Sequence, residues 1–346
     1  MTQRKPLSTT FLFAAILAGQ SLCFAHSGNS FTAESVKEEI KIDGDLSDWP
    51  KTKEYKVSVP YLFDGKPDTP DYTGRFRVAC DFEREVLYVG VEVTDDVVTL
   101  ESPLDVWNSC DACEIFLAIE HGPEQQVPLQ FVYRRSPIIA EADVPNTALQ
   151  KSFEVVRTQT DSKLTYEWRI DLAELPTGKG STKQATVFGF DVGYIDRDAG
   201  EEVTVFSSSP GRAKHLTSRT LGDLMLLAKP DSLVSVTGKV DRATMTDDEG
   251  GKVAQQTFAP VAIRSSDSSH FYVQIPCDKQ GRFEAKLPPG NYTASLVDTL
   301  PTRVSEKETV TFDVKPNQTS SVPNLKMRPL RKPNLVGETG LLLGSE

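Results

Sequence analysis

Acidic side chains crowd one part of the chain, and carboxylates at such density can hold a cation. Residues 81–120 contain eleven aspartates and glutamates against a single base. Asp95 and Asp96 end one predicted strand, and Asp196 and Asp198 end another. Calcium takes six to eight oxygen ligands, which carboxylates in loops supply. The sequence therefore predicts a calcium site, with Asp95–Asp96 and the Asp196/Asp198 segment as two candidate clusters.

Motifs for catalysis are missing from the sequence. It has no GxSxG, HExxH, P-loop or GxGxxG pattern. None of the four histidines stands beside a serine or cysteine in an arrangement typical of nucleophilic catalysis. Paired carboxylates could serve as acid and base in a glycoside hydrolase, but the abundance of acids distinguishes no pair. We expect no enzymatic activity, with an accessory part of a glycoside-processing hydrolase as an alternative.

The charge distribution argues against nucleic acid and anionic lipid as partners. The chain has a net charge of −11, and residues 26–228 hold 35 acids against 21 bases. Residues 229–346 are nearly neutral, with 14 acids and 15 bases. A surface of this kind has no basic footprint for phosphate groups. Cations and neutral polar molecules are the expected ligands.

Residues 1–25 have the pattern of a signal peptide. Two bases near the start precede a short apolar run at residues 11–18, and small residues lead to Ala25. The run is shorter than the roughly 20 residues that cross a bilayer, and Leu22 fits poorly before the cysteine of a lipoprotein signal. We expect cleavage after Ala25 and a secreted, periplasmic or cell-surface protein without a membrane span.

Export would permit disulfides among the four cysteines of the mature chain, which are Cys80, Cys110, Cys113 and Cys277. Cys110 and Cys113 form one CxxC, which lacks the second pair of a zinc site and the histidine of a c-type haem site. Disulfide formation is the default interpretation. Four cysteines allow three connectivities, and their spacing does not choose among them.

Apolar residues recur with a period of two from residue 36 onward, as in Val86–Val93 and Val187–Val192. Turn-forming Asp, Gly, Pro and Ser residues lie between these segments. The pattern predicts an all-β protein whose first domain, residues 36–228, is an antiparallel sandwich. Trp49 and Trp168 fall in strand patterns and are expected in its core, whereas Glu114 and Glu167 are typical of a solvated strand face.

A second strand series follows a seam at residues 228–231. About seven short strands fit into residues 232–328, and their number predicts an immunoglobulin-like or prealbumin-like sandwich. Residues 329–346 are basic and proline-rich and then glycine-rich, which indicates a C-terminal tail.

An ordered set of phrases in the first domain resembles family 9 carbohydrate-binding modules and their relatives. The matching phrases are IDGDLSDW at 42–49, LYVGVEVTDD at 87–96, Trp107, DACEIFL at 111–117, YEWRIDL at 166–172, FGFDV at 188–192 and LGDLML at 221–226. In the second domain, VTGKV at 236–240 and LPPGNY at 287–292 resemble carboxypeptidase regulatory-like, prealbumin-type domains.

The resemblance implies a jelly-roll-like sandwich that holds a sugar, with calcium supporting its loops. In the family a sugar ring lies between two tryptophans, and Trp107 occupies the place of one of them. A sugar presents a C–H face for an indole ring and hydroxyls for carboxylates. We therefore expect Trp107 to stack on the ring. Asp111, Glu114 and Gln130 would accept hydrogen bonds from the sugar hydroxyls.

The chain departs from the family pattern in the other half of this site. Residues 206–222 contain no tryptophan or tyrosine, and His215 is the only ring after Phe206. Val132 stands where the family often has an arginine. We expect a secreted, non-catalytic protein that binds a polysaccharide or glycan. The alternative is a secreted structural module that docks another protein and has a degenerate sugar site.

Overall fold

The computed structural model describes residues 29–51, 53–63, 72–102, 106–119, 122, 126–134, 137–141, 144–145, 149–175, 186–198, 203–227, 233–242, 258–268, 271–297 and 308–327. The expected signal peptide, the seam at 228–231 and the tail at 329–346 lie outside these ranges. Within them the protein is all-β, as predicted, and its helical segments are single 3-10 turns. No described helix has the length and apolar character needed to cross a membrane.

The first domain is a two-layered sandwich. Its described strands are β1 (Ser30–Ser35), β2 (Tyr55–Val57), β3 (Val59–Phe63), β4 (Thr73–Asp81), β5 (Val86–Thr94), β6 (Ala112–Ala118), β7 (Leu129–Tyr133), β8 (Pro137–Glu141), β9 (Val144–Pro145), β10 (Phe153–Thr160), β11 (Lys163–Asp171), β12 (Thr186–Arg197), β13 (Val203–Ser207) and β14 (Gly222–Leu226). The back sheet has the order β10-β11-β5-β4-β2, and the front sheet has the order β14-β12-β6-β7-β8-β9, with β13 and β3 beside β12.

Strand β1 connects the two sheets at one corner of the sandwich. Its residues 30–33 pair in parallel with β14 of the front sheet, and residues 34–35 pair in parallel with β4 of the back sheet. Phe31 lies between the layers, with its ring centroid 5.3 Å from Phe76 and 6.0 Å from Phe190. Such edge-to-face aromatic contacts add to the stabilisation from apolar burial. One strand thus contributes to both sheets and to the core.

The opening IDGDLSDW segment covers part of the outer face of the back sheet. Glu167 on β11 points to that face, and its carboxylate accepts hydrogen bonds from Trp49 Nε1 at 2.7 Å, Asp43 N at 2.9 Å and Gly44 N at 2.8 Å. Gly44 has a φ of +83°, which favours glycine. Burial raises the pKa of Glu167. Trp49 is buried as predicted, but the prediction of a solvated Glu167 is wrong.

The loop after β13 folds over the outer face of the front sheet, where a buried ion pair fixes it. Lys214 Nζ lies 2.6 Å from Asp191 Oδ2 on β12, and neither side chain is exposed. The same ammonium donates to Ser209 Oγ at 3.1 Å and to Thr220 O at 3.0 Å. Asp191 also accepts hydrogen bonds from the hydroxyls of Ser207 and Ser208. Each buried charge therefore has several partners, which its burial requires.

The second domain is also built of paired strands. They are β15 (Val234–Arg242), β16 (Val261–Ser265), β17 (Tyr272–Ile275), β18 (Arg282–Leu287), β19 (Gly290–Leu296), β20 (Thr309–Val314), β21 (Ser320–Ser321) and β22 (Leu325–Met327). One sheet has the order β17-β16-β19-β20, and the other places β18 on one side of β15 and β21 and β22 on the other. These strands match the seven predicted segments, except that the last is divided in two. The prealbumin-type assignment stays a prediction.

The two domains share a buried interface. Val187, Met225 and Leu227 of the first domain belong to the same apolar cluster as the core of the second. Beside them, Asp223 Oδ2 accepts a 3.1 Å hydrogen bond from the backbone of Gln274 on β17. The second domain therefore covers one end of the front sheet's outer face.

We predict that Lys214→Met will destabilise the protein by about 3–5 kcal/mol, because it leaves the buried Asp191 carboxylate without its cation. The measurement is the free energy of unfolding in guanidinium chloride. Adding Asp191→Asn should recover much of the loss, since an amide keeps acceptors for the serines without a charge. Lys239→Met is the control, because Lys239 is 52% exposed. A loss within about 1 kcal/mol, the range for exposed pairs, would contradict the prediction.

Candidate functional site

Two polar side chains meet on the outer face of the front sheet. Glu114 on β6 and Gln130 on β7 point away from the core, which their neighbours Ile115 and Phe131 enter. Gln130 Nε2 donates a 2.9 Å hydrogen bond to Glu114 Oε1. On the neighbouring strand, a Cβ at Gly193 would come within 3.2 Å of Glu114 Oε2. The glycine thus leaves space around the second carboxylate oxygen.

The pair is more enclosed than its strand pattern indicates. Glu114 and Gln130 are 5% and 6% exposed, so the prediction of a solvated Glu114 is wrong. The cause is the fold around them, because strand alternation fixes which face a side chain occupies but not how deeply neighbouring residues cover it. The predicted association of Glu114 with Gln130 is nevertheless present in the structure.

Trp107 precedes β6, the strand that carries Glu114. It lies in the turn before β6 and is 52% exposed. The preceding residue, Val106, accepts a hydrogen bond through its carbonyl from Arg134, which follows β7. This contact holds the turn at the end of β6 and β7, the two strands that carry Glu114 and Gln130. An exposed indole at that position can cover an apolar ligand surface.

The loop fixed by Lys214 forms another part of the border of this face. Ser218 N donates a 2.8 Å hydrogen bond to Gln126 O, so the loop lies beside the segment that enters β7. Leu216 and Val127, which belong to these two segments, are 47% and 52% exposed. His215 is the one aromatic ring among the described residues of this loop, 207–222. Phe206 instead stacks on Tyr72 in the interior, with ring centroids 4.1 Å apart.

Asp111 does not join Glu114. It is fully buried, and its two carboxylate oxygens accept hydrogen bonds from Thr99 N at 2.7 Å and Arg197 N at 2.9 Å. Side chains alternate between the two faces of a strand, and Asp111 is three positions before the outward-pointing Glu114. Asp111 therefore lies on the core side of the sheet. Burial raises the pKa of Asp111 to about 7. Asp111, which was predicted to bind the sugar, instead connects the backbone at Thr99 to the backbone at Arg197.

Three of the predicted metal ligands come together at the end of the sandwich. Asp95, Asp196 and Asp198 each place a carboxylate oxygen within 4.8 Å of the others. Asp95 accepts hydrogen bonds from Val97 N at 3.0 Å and from the Tyr194 hydroxyl at 3.4 Å. Burial raises the pKa of Asp95 to about 6. A set of oxygen donors alone fits a hard cation such as calcium.

Asp96 lies outside this cluster. Its side chain is exposed, whereas that of Asp95 is 1% exposed, because successive residues at a strand end point in opposite directions. The structure therefore retains three of the four predicted ligands and separates the fourth.

No disulfide joins these four cysteines to one another in this structure. Cys80, Cys110 and Cys113 are buried in the first domain, and Cys277 is half-buried in the second. Burial raises the pKa of the Cys113 and Cys277 thiols, which disfavours the reactive thiolate. The disulfide expected for an exported chain is not formed among them.

Several residues that shape the site were not predicted from the sequence. Lys214 and Leu216 occupy an irregular loop, where no hydrophobic period distinguishes a buried lysine or an exposed leucine. The sequence gives a weak indication that Asp191 is buried, because this aspartate interrupts the apolar segment 187–192. A buried charge needs a partner. The identity of that partner depends on the tertiary path of the loop.

Comparisons with known proteins identify the first domain. The family model described as "Carbohydrate family 9 binding domain-like" matches residues 42–226, which is more than half of the chain. A search of curated proteins gives no match.

Similar solved structures include a family 9 carbohydrate-binding module from Caldicellulosiruptor kristjanssonii in complex with cellotriose. It is 20% identical with a TM-score of 0.43, and the alignment covers 59% of this chain and 96% of that chain. The same organism's module in complex with glucose is 18% identical, with a TM-score of 0.44 and coverages of 59% and 98%. A putative carbohydrate-binding protein from Bacteroides uniformis is 11% identical, with a TM-score of 0.41 and coverages of 57% and 99%. Because the family model spans most of the first domain, the chain belongs to the carbohydrate family 9 binding domain-like family.

Proposed function

We propose that the protein binds a neutral sugar at the edge of the front sheet's outer face, beside Trp107. The observation that carries the proposal is the hydrogen-bonded pair of Glu114 and Gln130 on that face, next to the turn that exposes Trp107. The amide holds the carboxylate in one orientation, and a preoriented acceptor loses little entropy when it binds a hydroxyl. Trp107 supplies the flat apolar surface for the C–H face of the ring.

The second border of this site is aliphatic. Leu216 and Val127 offer apolar surface without the polarised ring that attracts sugar C–H groups. A sugar held between one indole and an aliphatic edge should bind more weakly than one held between two indoles. Cellotriose and glucose, the sugars in two of the similar structures, are the first ligands to test.

The proposed role is binding without hydrolysis, in a secreted protein. Glycosidases use two carboxyl groups about 5–10 Å apart, one as an acid and the other as a base or nucleophile. On this face Glu114 has the amide of Gln130 as its hydrogen-bonded neighbour. Asp191, which lies on the same face, uses its oxygens for Lys214 and the serine hydroxyls. A second carboxyl group with a free oxygen is therefore not available among these residues.

We expect Trp107→Ala to weaken the binding of cellotriose at least tenfold, because the stacking surface is lost. Isothermal titration calorimetry on the full mature chain gives the affinity, and a glycan array on the same protein identifies better ligands. Trp107→Phe should retain part of the affinity, since it keeps an aromatic ring. Trp107 is 52% exposed, so neither variant should affect folding. Wild-type affinity in the alanine variant, or no binding to any glycan, would refute the sugar site and favour a docking role.

We also propose that Asp95, Asp196 and Asp198 hold calcium. The carboxylates are gathered within 4.8 Å and are wholly or partly buried, where their mutual repulsion is strong. A divalent cation among them would remove that repulsion and satisfy their oxygens. The ion would then connect the end of β5 in the back sheet to the end of β12 in the front sheet.

Removal of calcium by a chelator should lower the melting temperature of the protein, and added calcium should restore it. A ligand present at 100 times its Kd stabilises the folded state by about 2.7 kcal/mol. Asp198→Asn should remove most of this calcium-dependent shift. Asp96→Asn is the matched control, because Asp96 is adjacent but exposed, and it should keep the full shift. A melting temperature that does not respond to the chelator would exclude the site.

A further inference from the structure

A polar cleft lies on the outer face of the back sheet, on the side of the sandwich opposite to Glu114. It occupies the part of that face that the IDGDLSDW segment leaves open. Strands β4, β5, β10 and β11 form its floor, and the turn at residues 44–47 forms one wall. Its volume is about 320 Å³, which is within the range of small-molecule sites.

Three cationic side chains converge in this cleft on one carboxylate. Glu92 Oε2 lies 2.8 Å from Arg75 Nε and 3.8 Å from Arg77 Nη2, and Glu92 Oε1 is bonded to the Lys163 ammonium. The Glu92 side chain is only 12% exposed, whereas those of Arg75 and Lys163 are 50% and 48% exposed. The pKa of Glu92 is lowered although burial alone would raise it, because Lys163 and Arg75 bond to it. Glu92 therefore orients two half-exposed cations.

Some donors of these cations are still available to a ligand. Lys163 has three N–H groups, and its ion pair with Glu92 uses one of them. Arg75 uses Nε for Glu92, and its Nη1 lies 3.6 Å from Glu54 at the edge of the cleft. Asp45 is the other acid of the lining, and its oxygens accept hydrogen bonds from Ser47. The lining holds three bases and two acids, and Glu54 at its edge pairs with Arg75 and Arg77, so the charges balance. The N–H groups of Arg75 and Lys163 that these ion pairs leave unused are the donors that a ligand could bind.

The rest of the lining consists mainly of hydroxyl groups. Thr158, Thr160 and Thr165 project from β10 and β11, and Leu46 is the only large apolar side chain among the described lining residues. No aromatic ring on which a neutral sugar could stack stands among the lining residues that the structure describes. Its donors instead match a ligand that carries hydroxyls together with a negative charge.

We propose that this cleft binds an acidic saccharide through its carboxylate or sulfate group. Arg75 and Lys163 bind the charged group, and the threonine hydroxyls bind the ring hydroxyls. The cleft is independent of the front-sheet site and does not rest on the function proposed for it.

The test is isothermal titration of the full mature chain with trigalacturonate, a sulfated disaccharide, cellotriose and inorganic sulfate. One of the two acidic saccharides should bind in low salt, and its affinity should fall as salt is added. The comparison of these two shows whether the charged group is a carboxylate or a sulfate. Cellotriose should not compete with the acidic saccharide. No binding of either acidic saccharide, or equal binding of inorganic sulfate alone, would overturn the proposal.

Lys163→Gln should weaken the binding of the acidic saccharide at least tenfold. The matched control is Lys239→Gln, which makes the same charge change at a lysine of the second domain that is 52% exposed. Thr160→Glu should also weaken binding, because it adds a negative charge opposite Lys163 and leaves Glu92 with its partners. Trp107→Ala should bind the acidic saccharide as the wild type does. Loss of this binding in Trp107→Ala, with retention in Lys163→Gln, would assign the ligand to the front sheet instead.

Discussion

A buried carboxylate on the outside of each sheet determines how the first domain is closed. Glu167 holds the opening segment against the back sheet through Trp49 and two backbone amides. Asp191 holds the loop after β13 against the front sheet through Lys214 and neighbouring serines. A buried charge is tolerated only with such a set of partners. These two acids therefore hold the covering segments in place, and the two proposed ligand sites lie beside those segments.

The outer faces of the two sheets differ in chemistry because their strands differ in outward residues. The front face has a carboxylate paired with an amide and a nearby exposed indole, which suits a neutral ring. The back face has cations arranged around Glu92 and a row of hydroxyls, which suits a charged one. A single core between the sheets supports both, since alternate residues of each strand must point outward.

The strand content and the core were predictable from the sequence, whereas burial on the outer faces was not. A period of two identified the strands of both domains and placed Trp168 between the sheets, where the structure has it. Trp49 is also buried, but on the outer face of the back sheet. The same period assigned Glu114 and Glu167 to solvent, because alternation carries no information about a distant segment that covers a face. Asp111 was predicted to bind the sugar because of its position in the family motif at 111–117. Strand alternation, however, puts it on the same side as the core residues Cys113 and Ile115. Metal ligands were predicted only in part, since proximity across two sheets depends on the fold.

The position of β1 has a mechanical consequence. This strand runs parallel to β14, so the entry and the exit of the first domain lie in adjacent, hydrogen-bonded strands that point the same way. Tension between the two ends of the domain would pull these strands in opposite directions along their length. All four residue pairs between Ser30 and Ala33 would then resist together in shear, rather than open one after another. The strand at the entry of the domain is also the one that joins its two sheets, so the same resistance to shear protects the connection between them.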